Sequence, residues 1–111
     1  MSEPHDATAR TPPADAADAL ARLARVRSEI SRVDRRLVAL LAERVRLARE
    51  AGRLKRAAGL PIRDPAQERL VLARLRRAAD RTGLDLAELR AVMRRVVRLS
   101  RRAQGGDGDS A

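Results

Sequence analysis

A long helical pattern without a break is the feature of this sequence that most constrains its fold. Asp15 or Asp18 can cap its start. The pattern continues to about Ala58, after which Gly59 and Pro61 end it. Such a pattern predicts one long helix with an apolar stripe along its length. The apolar residues recur every seven positions, at Leu23, Ile30, Leu37 and Ala51 in one series and at Val26, Val33, Leu40, Leu47 and Leu54 in the other.

The length of this helix predicts a dimer. About 40 residues give a helix about 60 Å long, whereas a compact domain of about 100 residues has a radius of gyration of only about 13 Å. The rest of a 111-residue chain is therefore too short to cover the stripe. We expect a second copy to cover it, in an intertwined homodimer.

Gly52 is the interior blemish in the helical pattern, because a glycine there costs about 1 kcal/mol in helix stability relative to alanine.

Two shorter helices follow, and no segment has the pattern of a strand. The second helix opens with Asp64 as its cap and Pro65 in its first turn, and it ends near Gly83. The third opens at Asp85, with Glu88 three positions later as in a capping box. The chain contains no Phe, Tyr or Trp, which argues against a β-sandwich. The sequence therefore predicts an all-α fold of one long and two short helices per chain.

The composition of the two ends predicts the domain boundaries. Residues 1–17 are rich in Pro and Ala and are expected to form a disordered leader. Residues 105–111 read GGDGDSA and are expected to form a flexible tail. The helical domain is then predicted to span residues 18–104.

Composition also excludes several kinds of chemistry. The chain has no Cys, and its single His, His5, lies in the leader, so thiol catalysis, histidine catalysis and a zinc site are disfavoured. We expect no metal and no cofactor. No run of 18 apolar residues and no signal peptide is evident, so we expect a cytoplasmic protein without a membrane partner.

The formal net charge is +10, and Lys55 is the lone lysine among 25 basic residues. A chain this basic is suited to anionic partners. Arg44 occupies a seam position in the apolar stripe, where a guanidinium is costly unless an anion meets it. Lys55 lies eleven residues later, on the same helix face and about 16 Å away.

Further polar residues occupy positions where the helical pattern requires only an apolar residue or an ordinary surface residue. Ser100 and Gln104 extend the apolar stripe of the third helix, and Asp64 and Glu68 lie at the start of the second. Together with the two cations they predict a small anion-binding pocket between helices.

Each of these residues also has a plain structural interpretation. Arg44 could pair with Glu43 or Glu50 in the seam, and Lys55 could be a surface residue near a helix end. The rest could be caps, first-turn acceptors or residues of a fraying helix end: Asp64, Gln67, Glu68, Ser100 and Gln104.

Three segments in order resemble the all-helical (type II) chorismate mutases over about residues 20–104. They are VRSEISRVDRRLVALLAERVRLAREAGRLK, GLPIRDPAQE and VVRLSRRAQ. The resemblance implies an interlocked three-helix dimer that rearranges chorismate to prephenate without cofactor or metal, in the shikimate pathway and aromatic amino acid biosynthesis. Family members sometimes act with a partner enzyme of the same pathway, and the sequence leaves that partner open.

The resemblance also implies roles for the polar residues. Arg44 binds one substrate carboxylate with support from Ser100, and Arg27 of the second copy binds the other. Lys55 and Gln104 hydrogen-bond the ether oxygen. Arg27 and Arg44 are 17 residues apart, about 25 Å along one straight helix, so one small dicarboxylate cannot reach both on the same helix.

The resemblance assigns the ring hydroxyl of the substrate to Glu68 and the region of Asp64, and it places Gln67 among the substrate-binding residues. The family often has Arg immediately before the matching glutamate, whereas this chain has Gln67 there, with Arg69 on the other side. A mutase of specialised metabolism that acts on 4-amino-4-deoxychorismate, whose amine is cationic, would tolerate that loss of charge and is the alternative assignment.

Two functions outside catalysis also fit parts of the sequence. A basic helical protein that binds nucleic acid would explain the charge, although no aromatic residue is present to stack on bases, so we expect no nucleic-acid partner. A structural coiled-coil or adaptor protein would explain the heptads but not Arg44, Ser100 and Gln104 on apolar stripes.

Overall fold

The computed structural model describes residues 14–105, which form three α-helices. They are α1 (Ala14–Ala58), α2 (Pro65–Thr82) and α3 (Leu86–Ala103). No strand occurs in this range, and the prediction of an all-α fold is confirmed. Residues 14–17, which the prediction assigns to the leader, form the first turn of α1. The remaining residues of the leader and nearly all of the tail lie outside the described residues.

The capping residues set the bounds of the two short helices as predicted. Asp64 caps α2 and accepts a hydrogen bond from the backbone N–H of Gln67 at 3.1 Å. Gly83 ends that helix in the left-handed conformation, with a φ of 75° that an L side chain rarely adopts. Asp85 caps α3 and accepts from the backbone N–H of Glu88 at 3.0 Å.

The chain divides into two compact units, and the division falls inside α1 between Val38 and Ala39. The described part of the first unit is the first half of α1. Its predicted seam residues are between 40% and 53% exposed, so they are not covered within one chain. They are Leu23, Val26, Ile30, Val33 and Leu37.

The second unit contains the end of α1 together with α2 and α3, and it has a small core. Leu75 and Ala79 of α2 and Ala48 of α1 are its buried apolar residues. The seam residues Leu47 and Leu54 remain 50% and 62% exposed. The apolar stripe is thus largely accessible in this unit as well, and the dimer that would cover it stays a prediction.

No helix between residues 14 and 105 combines the length and the apolar character needed to cross a membrane.

Candidate active site

A cavity of about 90 Å³ in the second unit is lined by the end of α1, the start of α2 and the end of α3. Four apolar or charged residues that the sequence did not single out also line it: Ile62, Val71, Val97 and Arg101. Seven of the eight predicted site residues line it: Arg44, Lys55, Asp64, Gln67, Glu68, Ser100 and Gln104.

Arg27 is the predicted site residue that this cavity does not include. It belongs to the first unit and is exposed there. Its assignment rests on a second copy of the chain and stays a prediction.

Arg44 is held by Ser100, the most deeply buried polar residue of the described chain. The guanidinium Nη1 donates a hydrogen bond to the hydroxyl Oγ of Ser100, which is only 4% exposed. The alternative pairing with Glu43 or Glu50 is not formed, since the ion pairs within residues 14–105 are Asp18–Arg22 and Glu68–Arg101. Arg44 is therefore oriented by a neutral acceptor, and no carboxylate within residues 14–105 forms an ion pair with it.

Lys55 is likewise fixed by neutral oxygens. Its Nζ donates to the backbone carbonyl of Ile62 at 2.9 Å and to Oε1 of Gln104 at 2.8 Å. An ammonium has three donors, so one proton remains for a ligand in the cavity. Because Oε1 of Gln104 faces Lys55, the amide nitrogen of Gln104 is the group that can donate to a bound molecule.

Asp64 and Gln67 combine capping with lining. One carboxylate oxygen of Asp64 satisfies a backbone N–H at the start of α2, and a carboxylate has further lone pairs for a second partner. Capping and binding are thus compatible at this residue. Gln67 is exposed and contributes a neutral amide to the cavity wall.

Glu68 forms an ion pair that sequence reasoning missed. Arg101 Nη1 lies 3.1 Å from Oε2 and 3.3 Å from Oε1 of Glu68. The neighbouring cation considered from the sequence, Arg69, does not line this cavity but lines an adjoining cleft, which shares Lys55 and Asp64 with it. Arg101 follows Val97 by four positions and so lies near the apolar stripe of α3. That position is the sequence feature that could have indicated a role for Arg101 in the cavity.

The end of α3 packs closely on α1 at Gly52. This glycine is buried, and a Cβ built on it would lie 2.5 Å from the backbone O of Gln104. Even a tight C···O contact is about 3.3 Å. The same carbonyl accepts from Nη1 of Arg56 at 3.0 Å. Gly52 is thus a requirement of the packing and not the blemish that the helical pattern suggested.

The arrangement offers binding and electrostatic chemistry. Three cationic and two carboxylate side chains line one small cavity, which has no imidazole or thiol. Within residues 14–105, no cluster of acidic or imidazole groups could hold a metal ion. Such a site can orient an anionic molecule and stabilise negative charge that develops on it.

Comparison with known proteins gives a consistent result. The family model described as chorismate mutase type II matches residues 26–105. The chain is 35% identical over 54 residues to a chorismate mutase of Methanocaldococcus jannaschii, a match that covers 49% of this chain and 54% of that protein. It is 37% identical over 81 residues to a T-protein of Enterobacter agglomerans, covering 73% of this chain and 22% of that protein.

A third relative is a bifunctional chorismate mutase/prephenate dehydratase of Aquifex aeolicus. It is 40% identical over 53 residues, which are 48% of this chain and 15% of that protein. The chain thus spans about half the length of the first of these relatives and about a fifth or less of the other two.

Gly52→Ala should destabilise the protein, although alanine normally favours a helix by about 1 kcal/mol. The added methyl meets the backbone of Gln104, and overpacking of this kind costs about 1–3 kcal/mol. We expect a net loss of up to about 2 kcal/mol in the free energy of unfolding, measured by urea denaturation at a fixed protein concentration. Ala42→Gly at an exposed position of α1 is the control and should lose about 1 kcal/mol through helix propensity alone. A Gly52→Ala protein more stable than wild type would contradict the close packing.

Proposed function

The chain belongs to the chorismate mutase type II family, and from that membership we propose that it converts chorismate to prephenate. The observation that carries the proposal is a pair of cations in one cavity, each held by a hydrogen bond to a neutral side chain. Arg44 donates to Ser100, and Lys55 donates to Gln104. Chorismate is a dicarboxylate, and cations whose charge is not cancelled by a protein carboxylate are suited to bind it.

The reaction makes modest demands on the protein. Within one molecule the ether C–O bond breaks while a C–C bond forms, so no group is transferred to the enzyme and no proton need move. Catalysis can then come from holding a compact conformer and from stabilising negative charge on the ether oxygen. A cavity without a thiol or an imidazole is compatible with such a step.

The proposed roles follow from the hydrogen bonds that orient each side chain. Arg44 binds one carboxylate, and the Ser100 hydroxyl, which accepts from Arg44, has its own proton to donate to the same group. The remaining proton of Lys55 and the amide N–H of Gln104 point to the ether oxygen. Two donors fixed before substrate binding cost little reorganisation as the negative charge develops.

Glu68 would accept from the ring hydroxyl, which has one proton to donate, and Asp64 would line the same side of the ring. Both carboxylates lie at the start of α2, and each keeps lone pairs beyond those used by the cap and by Arg101. In this proposal the hydroxyl-bearing side of the ring lies along α2.

We infer that the functional unit is a homodimer in which Arg27 of the second copy binds the other carboxylate. The exposed apolar stripe of α1 supports this inference, because more than a few hundred Å² of such surface is rarely left uncovered. The size of the cavity also supports it, since about 90 Å³ is well below the roughly 300 Å³ of typical ligand pockets. A partner enzyme of the same pathway is a further proposal, suggested by the bifunctional relative.

The direct test is an assay of the purified chain that follows chorismate loss and prephenate formation. Size exclusion with light scattering at micromolar concentration should give about twice 12.2 kDa. A protein that leaves chorismate unchanged and binds random duplex DNA in a salt-dependent way would instead support the nucleic-acid alternative. A dimer inert to all chorismate-like acids would support a structural role.

Lys55→Arg should lose most of the activity although it keeps the charge. A planar guanidinium cannot take the place of a compact ammonium between Gln104 and Ile62 and still direct a proton at one oxygen. Loss of one such hydrogen bond costs about 3–4 kcal/mol in the transition state, or about 10²–10³ in kcat. Arg53→Lys, the reverse exchange at an exposed position of the same helix, is the control and should leave kcat unchanged. Wild-type rates in Lys55→Arg would mean that Lys55 does not contact the substrate.

Gln104→Glu should make the activity depend on acid. The wild-type amide donates at any pH, whereas a carboxyl donates only when protonated. An ordinary Glu has a pKa of about 4.3, so from pH 8 to pH 5 the rate should rise about tenfold for each unit by which the pH falls. Steady-state rates across this range provide the measurement. A pH–rate profile as flat as that of wild type would contradict a hydrogen bond from residue 104 to the ether oxygen.

Mixed dimers test which chain supplies each arginine. Arg27→Ala and Arg44→Ala homodimers should each be nearly inactive, because every site lacks one carboxylate ligand. A heterodimer of the two contains one site that lacks both arginines and one site that is intact. Co-refolding equal amounts gives half heterodimers, so about a quarter of wild-type activity should return.

Each mutant denatured and refolded alone is the control and should stay inactive. Verified heterodimers without activity would contradict the shared site and the assigned role of Arg27.

A further inference from the structure

The Glu68–Arg101 ion pair forms one wall of the cavity. The two side chains are about a quarter exposed, at 25% and 26% respectively. A single nitrogen, Nη1 of Arg101, lies within 3.3 Å of both carboxylate oxygens. The pair joins α2 to α3, and its residues are 33 positions apart in the sequence. It differs from the other two cation anchors of the cavity, because here the partner is charged.

The surroundings of Glu68 carry more positive than negative charge. Glu68 and Arg101 also line a second groove, together with Arg94 and Arg98. Glu68 is the acidic residue in the lining of that groove, which also contains three arginines, and Arg101 is the one paired with it. In the cavity lining, the adjacent Gln67 adds no charge, and Asp64 is the second carboxylate beside the three cations Arg44, Lys55 and Arg101.

This charge balance determines what Glu68 can bind. A neutral hydroxyl donates its proton to a lone pair of the carboxylate and adds no charge beside Arg101. A protonated amine in the same place brings a cation against a carboxylate that is already paired. The attraction to Glu68 is then opposed by repulsion from Arg101, and like charges placed together at a binding site strongly disfavour a ligand.

We propose that Arg101 is a specificity-determining residue, which commits Glu68 to a substrate with a hydroxyl at the ring position and disfavours the analogue with a cationic amine. The inference rests on the proposed function and selects between its two substrates. Chorismate carries the hydroxyl, and 4-amino-4-deoxychorismate carries the amine. Arg101 thus opposes the amine that Gln67, taken alone, would tolerate.

The test compares kcat/KM for the two substrates in wild type, Arg101→Gln and Arg102→Gln. Arg102 is the exposed neighbour of Arg101 and removes the same charge from the same helix without lining the cavity. Wild type should prefer chorismate. Arg101→Gln should shift the ratio of the two kcat/KM values by about tenfold or more toward the amine, because Glu68 is then an unpaired anion. Arg102→Gln should keep the wild-type ratio.

The ratio separates specificity from structure. A purely structural ion pair would, on removal, lower both kcat/KM values by the same factor and leave their ratio unchanged, which would overturn the proposal. Arg101→Lys keeps a cation and should return the ratio to within a few fold of wild type. If Arg101→Gln does not fold, Arg101→Met offers an unbranched side chain of good helix propensity. Failure of both to give a helical circular dichroism spectrum would assign the pair to folding and reject the proposal.

The proposed function fails by a different result. Conversion is measured by the activity assay and binding by calorimetry. A wild-type chain that neither converts nor binds either compound overturns both the function and this inference. A wild-type chain that rearranges chorismate while Arg101→Gln keeps its ratio overturns the inference alone.

Discussion

The contact between the end of α1 and the end of α3 is the interaction on which the candidate site depends. Arg44 and Lys55 donate across it to Ser100 and Gln104, and Gly52 removes the side chain that would otherwise hold the helices apart. A partly buried donor left without a partner would cost about 1–3 kcal/mol, so each bond both orients its cation and maintains the packing. The hydrogen bonds that join the two helices thus also form the cavity wall, and they orient its donors before a ligand binds.

The kind of acceptor explains how a strongly basic chain can present cations that still bind anions. Arg44 and Lys55 are anchored by a hydroxyl, an amide and a backbone carbonyl, which fix direction without cancelling charge. Arg101 is anchored by the carboxylate of Glu68, so its charge is offset. The two cations on α1 are thus available to a dicarboxylate, whereas Arg101 on α3 is already paired with Glu68 on α2. The single lysine lies where a compact ammonium can serve two acceptors and retain a third proton.

The helices could be predicted from local signals, and most of the site from violations of those signals. The Asp64 and Asp85 caps and the left-handed Gly83 define helix ends through interactions within a few residues, which a sequence displays directly. Arg44, Ser100 and Gln104 could be predicted because they lie on apolar stripes, whereas the other site residues were predicted from their place near helix ends and from the family resemblance. The Glu68–Arg101 pair was not visible, because periodicity places residues on a face of their own helix but does not say which residues face each other across two helices. Gly52 was misjudged for the same reason: helix propensity counts its cost within α1, whereas its benefit lies in contact with α3.

The same limit bears on the first unit, in which the described residues are one stretch of α1 with its apolar residues about half exposed. Helices in isolation are marginal in water, and most of their stability in proteins comes from packing of an apolar face. A helix of this length with a regular heptad stripe therefore needs a packing partner, because burial of the stripe must offset the conformational entropy lost when the helix forms. If that partner is a second copy, the surface that stabilises the helix also delivers Arg27 to a site on the other chain. Folding, assembly and completion of the site would then be one event, because the residues that bury the stripe and the residue that binds the second carboxylate belong to the same helix.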